Sequence, residues 1–149
     1  MKATLNNLLQ TVSKCDLCAA QLALGPNPVV SLHPNSKILL ISQAPGLAVH
    51  RSGIPWADAS GKRLRMWLGV DDATFYDTNN FGILPMAFCY PGKAASGDLP
   101  PSKLCAPQWH KQLLAQLKNV QLIMLIGNYA QKYYLGKQKK KSYRNGITL

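Results

Sequence analysis

Three short apolar runs, each closed by chain-breaking residues, constrain this chain more than any other feature. They are Lys37-Ile-Leu-Leu-Ile-Ser42, Phe81 to Phe88, and Gln121-Leu-Ile-Met-Leu-Ile126. Continuous apolar runs of this length are strands buried on both faces, as in a covered sheet. Between them lie segments of helical period. Residues 3–13 space Leu5, Leu8, Leu9 and Val12 as one helix face. Ser60 to Leu68 places Leu64, Trp67 and Leu68 together, with Ser60 as the expected N-cap, and Trp109 to Leu117 reads as another helix. A last helix follows Gly127 and stops at Gly136. The order α-β-α-β-loop-α-β-α predicts a parallel sheet with helices on both faces and a ligand at the carboxyl ends of the strands.

The punctuation is informative. Gln43-Ala44-Pro45-Gly46 ends the first run sharply, and Pro85 interrupts the second, where it cannot donate to a ladder. Residues 25–36 read as loop. Residues 90–108 carry four prolines and two glycines and form a second, longer loop, of a kind that is usually functional or tied down. There is no internal repeat. From Lys137 the sequence KQKKKSYRNGITL has no apolar period, so residues 1–136 are expected to form one α/β domain and 137–149 a poorly ordered basic tail.

Charge narrows the classes of function. Of 149 residues, 17 are Lys or Arg and only 6 are acidic, for a net charge of +11. All the acids are aspartates, so no mechanism needing a glutamate pair is available. A basic body suits a polyanion, with binding that weakens steeply in salt, although a solubilising surface has the same composition. No apolar stretch approaches the roughly 20 residues of a membrane span, and residues 1–15 lack the apolar core of a signal peptide. The expectation is a soluble cytoplasmic protein without a membrane partner, acting as a monomer.

The four cysteines follow the spacing Cys15-x2-Cys18-x70-Cys89-x15-Cys105. In a reducing compartment a CxxC is more often metal-binding or redox-active than a disulfide. This one follows a helix and precedes a loop, unlike a thioredoxin motif. Four thiolates suit tetrahedral zinc or an iron–sulfur cluster, and one CxxC with two isolated cysteines is the more cluster-like pattern. Four unrelated core cysteines are the alternative.

This cysteine order, the strand ending in SQAPG, the following HRSGIPWADASGKRL and the segment IGNYAQKYYLG together resemble the uracil-DNA glycosylase superfamily, over roughly residues 13–136. The nearest likeness is to its iron–sulfur branches, families 4 and 5. The resemblance implies a three-layer α/β/α fold with a central, mostly parallel sheet. It also implies a [4Fe-4S] cluster on Cys15, Cys18, Cys89 and Cys105, with zinc as the alternative, and uracil-containing DNA as the partner. The implied reaction is hydrolysis of the N-glycosidic bond of uracil, or of a related damaged base, during base-excision repair.

Such a reaction flips the nucleotide out of the stack and needs a donor at the uracil oxygen, a polar group that positions water, and close backbone approach. By resemblance, Gln43, Ala44, Pro45 and Gly46 form the first catalytic motif. Many family-4 members carry an acid at the Gln43 position; an amide orients water but takes no proton. A plain strand-ending turn is the alternative for this segment. Trp56 stands where the family has the aromatic that stacks on uracil, the alternative being a core tryptophan. His50 is implied as a donor to base or phosphate, Arg51 as a phosphate contact, and Asp58 as a residue that shapes the loop. Family 4 reads the uracil edge with an Asn four residues before the third cysteine, where this chain has Pro85. The superfamily's second catalytic motif, His-Pro-Ser or similar, is not found after Leu135, nor is the core strand that would precede it. The only His-Pro, His33-Pro34, precedes the first run. The expectation is therefore a C-terminally shortened member, catalytically weak or inactive, with a non-catalytic nucleic-acid-binding module or a zinc-stabilised structural domain as alternatives.

Overall fold

A computed structural model describes residues 4–136 and 147–148. Strands β1 (Ile38–Ile41), β2 (Phe81–Ile83) and β3 (Leu122–Ile126) pair in parallel, with β1 in the middle. A short strand β4 (Ile147–Thr148) adds antiparallel to the outer edge of β3, opposing Ile126 and Leu125. Leu39, Leu40 and Ile41 are completely buried, which is why β1 is an unbroken apolar run. Period-2 alternation sends them to opposite faces. Leu39 and Ile41 pack with Leu5, Leu8 and Val12 of α1 (Leu5–Ser13) and with Trp109 and Leu113 of α5 (Cys105–Leu114). Leu40 packs instead with Leu64 of α3 (Ala59–Leu68), Phe75 of α4 (Asp72–Tyr76), Phe81, Ile83 and Met124. Two apolar cores, one on each side of one sheet, make the three-layer α/β/α arrangement the sequence predicts.

Several boundaries differ from the sequence reading. The run from Phe81 to Phe88 is a strand only to Ile83, because Pro85 breaks the ladder. Even so, the backbone continues beside β1: Leu84, Met86 and Ala87 donate to the carbonyls of Leu40, Ser42 and Gln43 at 2.9, 2.7 and 3.1 Å. Residues 25–36 are loop as expected, but they cover the free edge of β2, with Ser31 and Ile83 exchanging hydrogen bonds. Helix α5 starts at Cys105 rather than Trp109, with Pro107 in its first turn, where no N–H is needed. Two short helices, α2 (Leu47–Ser52) and α4, were not expected.

Asp58, not Ser60, caps α3: its Oδ1 accepts from the Gly61 amide and from Ser60 Oγ, both at 2.8 Å. Trp67 does not join Leu64 and Leu68 in the core; it is 61% exposed. Helix α6 (Asn128–Leu135) stops at Gly136 as read. The expected tail lies outside the described residues, apart from the two that form β4. Among the described residues no helix is long and apolar enough to cross a membrane.

Candidate functional site

The carboxyl ends of β1, β2 and β3 open into one cavity of about 430 Å³, within the usual size of a small-ligand site. Ser42, Gln43, Ala44, Pro45 and Gly46 enter it from β1, Ile83 and Pro85 from β2, and Ile126 and Gly127 from β3. Pro55, Trp56 and Asp58 close one side, α3 supplies Ser60, Arg63, Leu64 and Trp67, and Asp98 reaches in from the long loop. The QAPG turn, Trp56 and Asp58 are thus brought together. His50 and Arg51 are not: α2 lines the cavity through Val49, while His50 and Arg51 lie outside the lining. His50 packs against Tyr90, with ring centroids 5.9 Å apart, and its Nδ1 is buried without a hydrogen-bond partner among the described residues. Arg51 is exposed.

Trp56 is held in an unusual conformation. Its φ of +59° is the only positive value at a non-glycine among the described residues, and backbone strain of this kind collects at functional sites. The surroundings explain how it persists. Arg65 Nη1 donates to the Trp56 carbonyl at 3.0 Å and to the Tyr76 hydroxyl at 3.3 Å. Tyr76 in turn donates to the Pro55 carbonyl at 3.0 Å. The guanidinium lies 5.3 and 5.4 Å from the Phe75 and Tyr76 ring centroids, and its Nε lies 2.7 Å from Asp72 Oδ1. Trp56 is also pressed onto the start of α3 at Gly61, where a Cβ would meet the Trp56 carbonyl oxygen at 1.7 Å.

Two carboxylates converge at the Gly46 corner. A Cβ placed on Gly46 would lie 3.7 Å from Asp98 Oδ2 and 3.9 Å from Asp58 Oδ2. The other oxygen of Asp58 is spent on the α3 cap, and that of Asp98 accepts from Tyr90 at 3.3 Å. Each thus keeps one oxygen turned toward the cavity. Sequence reading placed the Pro85 region at the strand ends but missed Asp98, because only the folded long loop brings it here, and Gly127, although it directly follows β3.

All four cysteines line a second, smaller cavity, walled by Leu17, Leu22, Pro26, Pro28, Phe88 and Pro91. None is in a disulfide, and Cys18 Sγ lies 3.0 Å from Ser102 Oγ. Burial pushes the Cys89 thiol up and the Cys105 thiol to about 12. Among the described residues no three Cys, His, Asp or Glu are arranged to hold a single metal ion.

The model of the Uracil DNA glycosylase superfamily matches residues 30–148, most of the chain. The chain belongs to the uracil-DNA glycosylase superfamily. Members act on DNA, and the matched stretch contains every residue that lines the larger cavity except Val29. The Cys15–Cys18 pair lies ahead of the matched stretch.

Behind the cavity of this superfamily member, His110 ties its wall to α6. His110 is 2% exposed. The Pro85 carbonyl can only accept, so Nε2–H donates to it, at 2.8 Å. In the neutral ring Nδ1 then accepts from the Tyr134 hydroxyl. The Phe88 ring lies nearly parallel to the imidazole, with centroids 5.9 Å apart. Burial lowers the His110 pKa below its ordinary value. The unfolded chain therefore binds this proton more readily than the folded one. Stability from His110 is complete above the unfolded value of about 6.5 and is lost as pH falls through the folded value. Asp71 and Asp77, lowered by hydrogen bonds from Thr74 and Asn79, act only at more acidic pH. Melting temperature should thus fall between pH of about 7 and 5, and His110→Gln, though less stable throughout, should flatten that limb. An unchanged limb in the variant would assign it to another group.

Proposed function

We propose that this chain is a DNA-repair hydrolase that releases uracil, or a closely related damaged base, from DNA. One observation carries the reading: a cavity at the strand ends that gathers the QAPG turn, a strained Trp56 and two carboxylates. The flipped base stacks on Trp56, and the Ala44–Gly46 backbone, free of bulky side chains, approaches the base and sugar closely. Gln43 orients the attacking water. The water oxygen bonds to C1′ and the C1′–N1 electron pair leaves with uracil, while the water's proton passes to the Asp98 carboxylate. The negative charge of Asp58 and Asp98 faces the cation-like sugar, the kind of preorganised electrostatic support that dominates many enzyme sites. The protein acts as a monomer in the cytoplasm, where thiols stay reduced.

The proposal includes a [4Fe-4S] cluster on Cys15, Cys18, Cys89 and Cys105, which places the chain in the iron–sulfur branch of its superfamily. The donor set fits: four free thiols around one apolar cavity. A donor set made only of thiols behind an apolar wall suits an iron–sulfur cluster, with zinc on the same four thiols as the alternative. When bound, the cluster ties the N-terminal segment, the end of the β2 extension and α5 to one another.

The test is excision from single- and double-stranded oligonucleotides carrying one uracil, read as alkali-labile strand breaks. Gln43→Ala should lower kcat/KM by about 10²-fold, the size of a lost positioning contact. No abasic product at high enzyme concentration would overturn the enzymatic reading. A second reading, a non-catalytic DNA-binding module, is favoured by Pro85, which puts neither an amide side chain nor an N–H on the cavity wall. Salt-dependent binding of undamaged DNA without base release would select it.

A further inference from the structure

Helix α3 presents two different faces. Leu64 and Leu68 pack against the sheet core. Ser60, Arg63 and Trp67, spaced at i, i+3 and i+7, follow the cavity rim instead. Arg63 and Trp67 are one turn apart, so their side chains are neighbours. Arg63 is exposed and forms neither a hydrogen bond nor an ion pair with any described residue. Trp67 is 61% exposed although it lines the cavity. A large aromatic left in water beside an unpaired guanidinium is poorly explained by packing, since tryptophan is on average highly buried. The net charge of +11 adds an attraction for polyanions.

We propose that Trp67 and Arg63 form a second nucleotide subsite, on which the base next to the flipped nucleotide stacks while Arg63 holds its phosphate. The inference rests on the reading of the cavity as the uracil site and adds a substrate preference to it. An indole face serves any base, because every base has a π-surface, and the neighbouring base must leave its own stack to reach it. Single-stranded DNA satisfies this at no unpairing cost, so the subsite favours single strands over duplex.

Binding tests this without uracil. Anisotropy titrations of the full-length protein use a fluorescein-labelled thymidine 12-mer and an abasic-backbone 12-mer. Trp67→Ala should weaken the thymidine oligomer about tenfold, in the range measured for base–aromatic stacking. Trp67→Phe should stay close to the parent, and the abasic oligomer should not distinguish the three proteins. Arg63→Gln should weaken both oligomers and lower the salt slope by about one. Because Trp67 is exposed, an unchanged melting temperature should confirm that its variants fold. Equal binding by Trp67→Ala, an equal loss on the abasic oligomer, or no measurable binding of thymidine oligomer by the parent would each overturn the subsite. A parent that excises no uracil but binds the thymidine oligomer more tightly than Trp67→Ala does would remove the glycosylase reading and keep Trp67 and Arg63 as a base-stacking site; intact excision with equal binding by Trp67→Ala would do the reverse.

Discussion

Gly61→Ala is expected to destabilise the protein by about 3 kcal/mol or more, the upper end for overpacking. The added Cβ would meet the carbonyl oxygen, carbonyl carbon and Cα of Trp56 at 1.7, 2.5 and 2.9 Å. These are backbone atoms, so no side-chain rotation relieves the contact. Either α3 moves off the sheet or Trp56 leaves its left-handed conformation, and both dismantle the cavity. Gly69 at the other end of α3 is the control. It has φ +67° and open space around it, so alanine there costs only the left-handed strain, about 1 kcal/mol. Urea denaturation of the two variants measures the difference. A Gly61→Ala protein as stable as Gly69→Ala would mean that the contact with Trp56 yields easily.

The second large effect concerns the thiol cavity. Cys105→Ala in a metal-free protein should cost about 1 kcal/mol, a typical price for one small buried change. If the four thiolates hold a cluster, the variant should instead lose its iron, its brown absorbance and much of its thermal stability, because metal binding and folding are then one free energy. Iron and labile-sulfide analysis of anaerobically purified parent and variant separates the two outcomes. Full iron content in the variant would remove Cys105 from the ligand set.

Sequence reasoning reached the parts of this fold where one physical signal dominates. The buried run of β1 and the sharp QAPG stop locate the central strand and the cavity floor together, since a parallel strand opens its carboxyl end to ligand. The cysteines were legible as a group, and the fold gathers all four around one cavity. Where two signals competed, the reading failed. Trp67 has the period of a core residue, yet Leu64 and Leu68 already fill the sheet-facing stripe, so it falls on the rim. Helices α2 and α4, six and five residues long, are too short for a period to be seen. His50 carries the right chemistry next to the right motif, but on α2 it is Val49 that lines the cavity, while His50 packs on Tyr90. Asp98 had no local signal, because its place depends on how the whole 90–108 loop folds back.

The segment from Pro85 to Cys89 touches both cavities. Pro85 lines the larger one, Ala87 donates to the Gln43 carbonyl, and Ala87, Phe88 and Cys89 line the smaller. Oxidation of the sulfurs would therefore displace a segment hydrogen-bonded to Gln43, the residue proposed to orient water. On the proposed glycosylase reading, two preparations of identical sequence, one handled under nitrogen and one on the open bench, should differ in uracil release even with every side chain of the larger pocket chemically intact.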